Sequence, residues 1–532
     1  MLKIIRKFAA VLLILLVGAC ATTRKTAPAE LSKESYYQYI LSAEAEAEYD
    51  WDKALEHLKL ALNEDPESLY LRTEMSRLYF KAEKLADAAK MAEDVIRQNP
   101  DYAPVLSLLG EIYSRQGNLK GAVDIYARLI KLDPEKTDAY IHLAHLYVIT
   151  NRHEEAVKIL EDAVKIEPDN AFVRYYLGRI YAETKRFEPA INELEKAVEL
   201  RPSLDAAFYI LGVSYEALGD TSKAVSNYEE AIRLNSYNLE ARKRLSVIYL
   251  KQGAVSKAVE QMAEGIRQEP DNMEIHMMLA NIYIESSKFE EAEKEISVIV
   301  SSDPENKEVR YVYAKLLSLM KKYDEAIRQY ETLAARMPEN SAILLDMGML
   351  HIQREDYAKA EEVFKKGLAI APENDEINFS LAIVYEKTKR PDDMFNALKR
   401  TIEINPNHAD ALNYLGYTYA DMGINLDEAL DLIKKAVELE PDSGYIHDSL
   451  GWVYFKKGMY EEALREIQKA SDITKDDPVI HEHLGDVYLK LNNKEAAVDA
   501  WRKSLQFNDK EEVLKERVQK KIQDSGFKIK EE

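Results

Sequence analysis

Residues Asn413–Ala470 read NYLGYTYADMGINLDEALDLIKKAVELEPDSGYIHDSLGWVYFKKGMYEEALREIQKA, one repeat unit and most of a second. Within this stretch a set of small and large residues recurs after 34 or 35 positions. The first unit has Leu415-Gly416, Tyr419, Ala429 and Ala436, and the second has Leu450-Gly451, Tyr454, Ala463 and Ala470. Small residues let two helices approach closely, and the large residues fill the space between them. The stretch therefore predicts a helix–turn–helix repeat.

Prolines extend this spacing through most of the chain with a period of 34 residues. They stand at Pro66, Pro100, Pro134, Pro168, Pro202, Pro270, Pro304, Pro338, Pro372 and Pro406, with Ser236 in the one remaining slot. Proline suits the slot because it cannot continue the preceding helix. The step from Pro406 to Pro441 is 35 residues, and the extra residue falls in the turn GINLD at 423–427.

Three other columns of residues follow the same period. Tyrosines form the first, which comprises Tyr113, Tyr147, Tyr181, Tyr215, Tyr249, Tyr283, Tyr385, Tyr419, Tyr454 and Tyr488. A small residue lies three positions before each of these tyrosines, and an alanine column runs from Ala54 to Ala497 with Met394 as its interruption. This pattern resembles the tetratricopeptide repeat family. The resemblance implies an all-α, right-handed superhelical solenoid of about fourteen units with a C-terminal capping helix.

The repeats divide the chain into four predicted segments. Residues 1–19 form a lipoprotein signal peptide, and residues 20–34 form a lipidated cysteine with a flexible tether. Residues 35–511 form the repeat array, and residues 512–532 form a capping helix and tail. The helix is predicted from Val513, Leu514, Val518 and Ile522, which have helical spacing.

The charge balance excludes one class of partner. The net charge is −22, and a surface that binds phosphates needs the opposite sign. Nucleic acid is therefore not an expected partner. Cys20 is the only cysteine, so the chain cannot form an internal disulfide.

The N-terminus has the three parts of a secretory signal. Lys3, Arg6 and Lys7 precede an apolar run, Phe8 to Val17, that is too short to span a bilayer as a mature helix. The next residues, LVGAC at 16–20, resemble the bacterial lipobox, which implies cleavage before Cys20 and lipidation of that cysteine. An ordinary secretory signal or a membrane anchor that contains a cysteine is the alternative. The tether from Ala21 to Glu34 would reach roughly 20 Å, which keeps the folded body near the membrane.

The residue after the cysteine indicates which membrane would hold the lipid anchor. In bacteria with two membranes an Asp there commonly marks retention in the inner membrane, and this chain has Ala21. We therefore expect a lipid anchor in the outer membrane, facing the periplasm. The alternative is the outer face of the cytoplasmic membrane.

No catalytic or cofactor motif emerges from the sequence. There is no phosphate-binding glycine loop and no cysteine pair with metal spacing. His481 and His483 are two apart on one helix, so they point to different faces, whereas the helical zinc motif needs histidines four apart. His142 and His145 are three apart without a supporting carboxylate on that face, which favours a surface pair. We predict a non-enzyme without a metal or cofactor.

Binding by such arrays is expected on the concave face, which the first helix of each unit lines. Helical periodicity leaves positions 2, 5, 9, 12 and 13 of the unit facing inward. The aromatic residues in those columns are Phe172, Tyr175, Tyr209, Tyr311, Phe379, Tyr417, Tyr445, Trp452 and Phe455. Asn413 and Asp448 join the last four in adjacent repeats, where they would bind a backbone and a cation. Each ring is alternatively a packing residue between helices.

Partner-binding surfaces need aromatic anchors with polar neighbours, which these columns provide. Some members of the family that bind chaperones clamp a C-terminal carboxylate with Lys and Asn, but Lys243 and Asn281 lack the remaining basic partners of that clamp. The leading hypothesis is a lipid-anchored envelope scaffold or adaptor that binds other proteins or peptides. The lipobox and the C-terminal repeats resemble adaptors of periplasmic processing proteases. The alternatives are an accessory protein of polysaccharide export or glycosyl transfer, and a purely structural spacer.

Overall fold

The computed structural model describes residues 31–508 and 512–526, which form twenty-nine α-helices and no strand. The first fifteen are α1 (Lys33–Ala47), α2 (Trp51–Glu64), α3 (Leu69–Lys81), α4 (Leu85–Gln98), α5 (Ala103–Arg115), α6 (Leu119–Leu132), α7 (Thr137–Ile149), α8 (His153–Ile166), α9 (Ala171–Glu183), α10 (Phe187–Leu200), α11 (Asp205–Ala217), α12 (Thr221–Leu234), α13 (Leu239–Lys251), α14 (Val255–Gln268) and α15 (Met273–Glu285). The others are α16 (Phe289–Ser302), α17 (Lys307–Leu319), α18 (Tyr323–Arg336), α19 (Ser341–Gln353), α20 (Tyr357–Ile370), α21 (Asp375–Lys387), α22 (Pro391–Ile404), α23 (Ala409–Met422), α24 (Leu426–Leu439), α25 (Gly444–Lys456), α26 (Tyr460–Ile473), α27 (Pro478–Lys490), α28 (Lys494–Phe507) and α29 (Glu512–Asp524).

The helices alternate as first and second helices of fourteen repeats, and α29 follows the last repeat. Odd-numbered helices up to α27 are first helices, and the even-numbered helices are their partners. Residue contacts divide the chain into two units, Met1–Ile275 and His276–Glu532. The predicted all-α array of about fourteen repeats with a C-terminal helix is confirmed.

Each repeat closes on the alanine column. Every member of that column from Ala54 to Ala497 is fully buried, and Met394 is 4% exposed in its place. The small residue on the first helix faces a large side chain of the second. A Cβ atom added to Gly110 would stand 2.7 Å from the ring of Tyr126, so only glycine lets that ring pack at this depth. Close helix approach thus depends on these positions, as the repeat pattern predicts.

A left-handed residue ends the first helix of nearly every repeat. In repeat 2 it is Glu83, with φ of 59°, and the next amide, Lys84 N–H, donates to the Tyr79 carbonyl at 2.9 Å. This six-to-one bond closes the helix end in a Schellman motif, where glycine is the residue of lowest strain. The turn after α23 has two left-handed residues, Gly423 and Asn425, with φ of 68° and 46°. The extra residue predicted at 423–427 therefore adds a second left-handed position.

The tyrosine column fastens one repeat to the preceding one. Four of the ten hydroxyl groups donate to an acidic residue twenty positions earlier, on the second helix of the repeat before. The bonds run from Tyr113 to Glu93 at 2.8 Å, from Tyr181 to Glu161 at 2.6 Å, from Tyr215 to Glu195, and from Tyr249 to Glu229 at 2.7 Å. Burial, followed by this bond to a carboxylate, raises the pKa of Tyr113 and of Tyr249 to about 12. Each of these tyrosines therefore stays protonated as a donor.

The last helix covers the open side of repeat 14. Leu514, Val518 and Ile522 of α29 are buried against α28, where Val498 and the fully buried Trp501 form the facing surface. Among the described residues, no helix is long and apolar enough to cross a membrane.

Candidate partner-binding site

The predicted cluster in repeats 12 and 13 contains a packed ring stack. The Trp452 ring on α25 lies 4.1 Å from His483 of α27 and 4.8 Å from Phe455, with interplanar angles of 15° and 5°. Its Nε1–H donates to Asp421 of α23 at 3.4 Å, and Lys456 lies over its ring. Trp452 is 9% exposed, so it joins three consecutive first helices by packing.

Asp448 pairs with the histidine in this stack. Its two carboxylate oxygens lie 3.1 and 2.9 Å from His483 Nδ1, and both side chains are buried. Burial alone would lower the pKa of His483, but the charges of Asp448, Asp486 and Glu482 outweigh it and raise that pKa. The charged pair is then a salt bridge between α25 and α27. Asp448 thus already has a cationic partner within the chain.

A second buried carboxylate holds α29 against the last repeat. Glu482, one residue before His483, accepts from Arg517 Nε and Nη2 at 2.7 and 2.5 Å and from Lys521 at 2.6 Å. Lys521 also donates to Asp486 at 2.6 Å. Burial raises the pKa of Glu482, but the bonds from Arg517 and Lys521 outweigh this and keep it below its ordinary value. Glu482 is therefore an ionised carboxylate at neutral pH.

Tyr417 connects this charged layer to a cavity of about 280 Å³. The cavity is lined by Glu386, Lys389, Arg390, Pro391, Met394, Tyr414, Tyr417, Thr418, Asp421 and Met422. Burial, followed by the charges of Asp421 and Asp448, raises the pKa of Tyr417 to about 12, against an opposing effect of Arg517. Side chains from α23, α25 and α29 thus influence a single phenol. Met422 places the cavity directly beside the longer turn at 423–427.

Asn413 and Tyr445, the other predicted members, lie outside the ring stack. Asn413 is half-buried on α23, and its Oδ1 has no hydrogen-bond partner among the described residues. Tyr445, near the start of α25, is 60% exposed. It therefore presents most of its ring to solvent, unlike Trp452.

Three of the remaining predicted aromatics belong to the first unit. Phe172 is exposed on α9 and lies against the guanidinium of Arg201. Tyr175 packs edge to face on its neighbour Tyr176. Tyr209 of α11 lies 6.0 Å from the buried ring of Tyr228, which belongs to the same repeat. Two of the three are therefore partly engaged with other rings.

The last two predicted aromatics belong to the second unit. Tyr311 donates to Asp346 at 2.6 Å, and Phe379 packs 4.8 Å from the ring of His408. Both therefore join the first helices of neighbouring repeats. Cys20, the predicted lipidation residue, lies outside the described residues.

Sequence reasoning did not select His483, Glu482, Arg517 and Lys521 as members of the site. The spacing of the contacts would have found them. Many contacting side chains on neighbouring first helices, or on α27 and α29, are 31 or 35 positions apart. The pairs are Asp421–Trp452, Lys243–Glu274 and Glu46–Arg77 at 31, and Asp448–His483, Glu482–Arg517, Asp486–Lys521 and Tyr311–Asp346 at 35.

We call the group formed by Tyr417, Asp421, Tyr445, Asp448, Trp452, Phe455, Glu482, His483, Arg517 and Lys521 the C-terminal cluster. Most of its charges neutralise one another, so its geometry is fixed before any partner arrives. Tyr445 and the carboxylate of Asp421, whose side chain is 59% exposed, remain available to solvent, and Asp421 lines the cavity. The arrangement offers an acid at the recess and an exposed aromatic ring on α25, the next first helix. It contains the elements of a recognition surface.

Comparison with known proteins identifies the repeats. Models described as "Tetratricopeptide repeat" match residues 45–112, 113–171, 150–211, 209–272, 258–316, 317–368, 345–393, 397–431 and 480–511, and one described as "TPR repeat" matches 451–492. The "TPR repeat-containing protein PA4667" of Pseudomonas aeruginosa is 39% identical over 80 residues, which is 15% of this chain and 14% of that protein. The chain thus spans only a small part of that relative.

Comparison with solved structures gives three examples with low overall similarity. Yeast Tom70 has 14% identity and a TM-score of 0.37, covering 86% of this chain and 95% of that one. The Cut9–Hcn1 complex has 17% identity and a TM-score of 0.35, covering 78% and 89%. YrrB, described as a TPR protein with an unusual peptide-binding site, has 20% identity and a TM-score of 0.31, covering 35% and 95%. Because the family models match most of residues 45–511, the chain belongs to the tetratricopeptide repeat family.

Proposed function

We propose that this protein is a lipid-anchored scaffold or adaptor of the bacterial cell envelope, which holds other proteins on its C-terminal cluster. The observation that carries the proposal is the convergence of three first helices, α23, α25 and α27, and of the C-terminal helix α29 on one preorganised surface. A rigid surface loses less conformational entropy when a partner binds. The protein itself catalyses no reaction in this proposal.

The chemistry of the cluster suits a peptide or protein segment. A cavity of about 280 Å³ is at the small end for a drug-sized ligand and suits a single large side chain. Tyr445, exposed on the next first helix, offers contact area at low entropic cost. The exposed carboxylate of Asp421 would meet a basic group on the partner, within a chain whose net charge is −22.

The N-terminal sequence supports the anchoring part of the proposal. The basic residues, the apolar run and the residues LVGAC at 16–20 have the order of a lipoprotein signal. Several acyl chains give stable anchoring where one would not. The absence of an Asp at position 21 favours the outer membrane over the inner one.

Anchoring and binding are tested separately. In a bacterium that makes the protein, Cys20→Ser is expected to leave unprocessed precursor and to abolish incorporation of labelled fatty acid. Labelled lipid on the Ser variant would refute the lipoprotein assignment.

Binding is tested with a photo-crosslinking amino acid at position 445 of the membrane-bound protein. The structure predicts discrete adducts at 445, and their loss when Trp452→Ala disturbs the neighbouring stack. The same probe at Tyr237, which is 74% exposed in another repeat, is the matched control. Adducts at both positions alike, or at neither, would contradict a specific site.

Glycan binding and alanine variants separate the two alternative functions from the adaptor. An accessory of polysaccharide export or glycosyl transfer should bind a purified glycan saturably, and Tyr445→Ala should abolish that binding. A structural spacer should give no adducts at 445, and should tolerate Tyr445→Ala and Asp421→Ala without any change in the phenotype of the cells.

A further inference from the structure

Three side chains that commonly bind metals meet where repeat 11 approaches repeat 12. Asp375 and Glu376 are the first two residues of α21, and His408 is the N-cap residue of α23. One ligand-type atom from each lies within 4.8 Å of the other two. They lie outside the C-terminal cluster, and sequence analysis did not select them as a site.

The histidine has an unsatisfied nitrogen that faces the acids. His408 is nine-tenths buried, and its Nε2 has no hydrogen-bond partner among the described residues. The nearest charged atom is Glu376 Oε1 at 3.8 Å, too far for a hydrogen bond. The ring of Phe379 packs 4.8 Å from the imidazole, and the Ala411 amide donates to Nδ1 at 3.3 Å. These contacts fix the orientation of the imidazole and leave Nε2 without a hydrogen-bond partner among the described residues.

A hydrogen bond from a neighbouring side chain orients the carboxylate of Asp375, as is usual for carboxylates that bind metals. Asn405 Nδ2–H donates to Asp375 Oδ2 at 2.7 Å. The Asn405 Oδ1 in turn accepts from the backbone amide of Asn407 at 3.1 Å, which fixes the orientation of the amide. Such outer hydrogen bonds hold a ligand in position and tune its affinity.

We propose that Asp375, Glu376 and His408 bind a divalent transition metal ion of the Zn²⁺ class, with water completing its coordination. One imidazole and two carboxylates suit such an ion better than Ca²⁺ or Mg²⁺, which prefer oxygen ligands throughout. Tetrahedral coordination at about 2.0–2.1 Å places ligand atoms roughly 3.4 Å apart. The side chain of Glu376 is 61% exposed, so it is free to close that distance.

Metal binding is coupled to the start of α23. With Nδ1 accepting from Ala411, the neutral ring of His408 carries its single proton on Nε2. A metal on Nε2 requires that proton to move to Nδ1, and the Ala411 amide then loses its acceptor. Binding of the ion therefore removes one hydrogen bond at the start of α23 and adds a link between the first helices of repeats 11 and 12.

The test uses the untagged full chain with Cys20→Ala, which has no thiol to compete for metal. Zn²⁺ is followed by calorimetry and Co²⁺ by its visible absorption. We expect one site, retained against excess Mg²⁺ and Ca²⁺. Asp375→Asn or His408→Gln should weaken binding at least tenfold, and Asn405→Ala about tenfold.

His408→Gln also removes the N-cap of α23 and could unfold the protein, so Glu376→Gln provides a second test that leaves the cap intact. Because Glu376 is exposed, this variant should unfold at the wild-type temperature without metal and lose the Zn²⁺-dependent increase in Tm. The exposed Asp392→Asn is the matched control and should retain that increase. His142→Gln with His145→Gln removes the two histidines that are three positions apart on α7. Binding that depends on that pair, or that survives Glu376→Gln unchanged, would overturn the proposal.

Discussion

Replacing the buried carboxylate of Glu482 should release the C-terminal helix before the rest of the chain unfolds. The side chain is 2% exposed and receives three charged hydrogen bonds, from Arg517 and Lys521 of α29. Glu482→Gln keeps the shape and removes the charge. Apart from this pair of cations, α29 is held mainly by Leu514, Val518 and Ile522.

The loss of docking free energy depends on how well water replaces the hydrogen bonds of Arg517 and Lys521 in the variant. A hydrogen bond to a charged group contributes about 1.5–3 kcal/mol. Arg517 is 52% exposed and Lys521 is 27% exposed, so water recovers part of the loss. Lys521 also keeps its bond to Asp486 at 2.6 Å. We therefore expect the docking of α29 to weaken by about 2 kcal/mol, less than the 3–5 kcal/mol of a fully buried pair.

Hydrogen exchange measured by mass spectrometry reads this out helix by helix. Protection of residues 512–524 should fall about thirtyfold, since 1.4 kcal/mol is a factor of ten. Protection of α25 should change little. Glu495→Gln, an exposed change on α28, is the control. Unchanged exchange of α29, or an equal loss in every helix, would refute the reasoning.

The same carboxylate gives a test by pH. The folded pKa of Glu482 is lowered, so its stabilisation is present above the unfolded value of about 4.3. It is lost as pH falls through the folded value. Wild-type α29 should therefore lose protection in acid, and the Gln variant should lack that step. The same acid step in both proteins would show that another group controls the docking of α29.

Three other predictions concern particular positions. The raised pKa of His483 makes its stabilisation by Asp448 complete below about pH 6.5, and this stabilisation is lost as pH rises through the folded pKa. Wild-type stability against denaturant should therefore fall above about pH 6.5, and Asp448→Asn should reduce that fall. Parallel stability curves for the two proteins would contradict the prediction. Lys185→Gly should raise the free energy of unfolding by about 1 kcal/mol in denaturant titrations, because φ there is 61°, and a decrease would refute the strain. Gly110→Ala should lower it by about 1–3 kcal/mol through contact with Tyr126, and no change would show that the ring yields freely.

The sequence pattern predicted most of the architecture because each repeat makes the same contacts. The period of 34, the alanine column and the extra residue near Gly423 all concern local packing, which repeats along the chain. The first-helix columns were also sufficient to select Trp452 and Asp448 as members of one cluster. Their roles in binding remain predictions, since the contacts described are all within the chain.

The composition of the cluster was harder to predict because it depends on contacts between repeats. Whether Trp452 is exposed depends on His483, which stands 31 residues later on the next first helix. Tyr445, from the same set of columns, has no such ring above it and is exposed. An inward position on one helix therefore does not determine whether a ring packs or faces solvent. Whether such a ring is buried also depends on the residue 31 or 35 positions later, on the next first helix.

The tyrosine bonds between repeats have a consequence for how such a chain can change in length. Each bond joins residues twenty positions apart across one boundary, so it does not depend on which repeat supplies either end. Loss of residues 171–204, one whole repeat, would set Tyr215 twenty positions after Glu161 and restore the same bond. Asp448, Glu482 and their partners have no equivalents to exchange with. A repeat bounded by these bonds can therefore be lost with the tyrosine contact restored, whereas repeats 13 and 14 and α29 depend on one another.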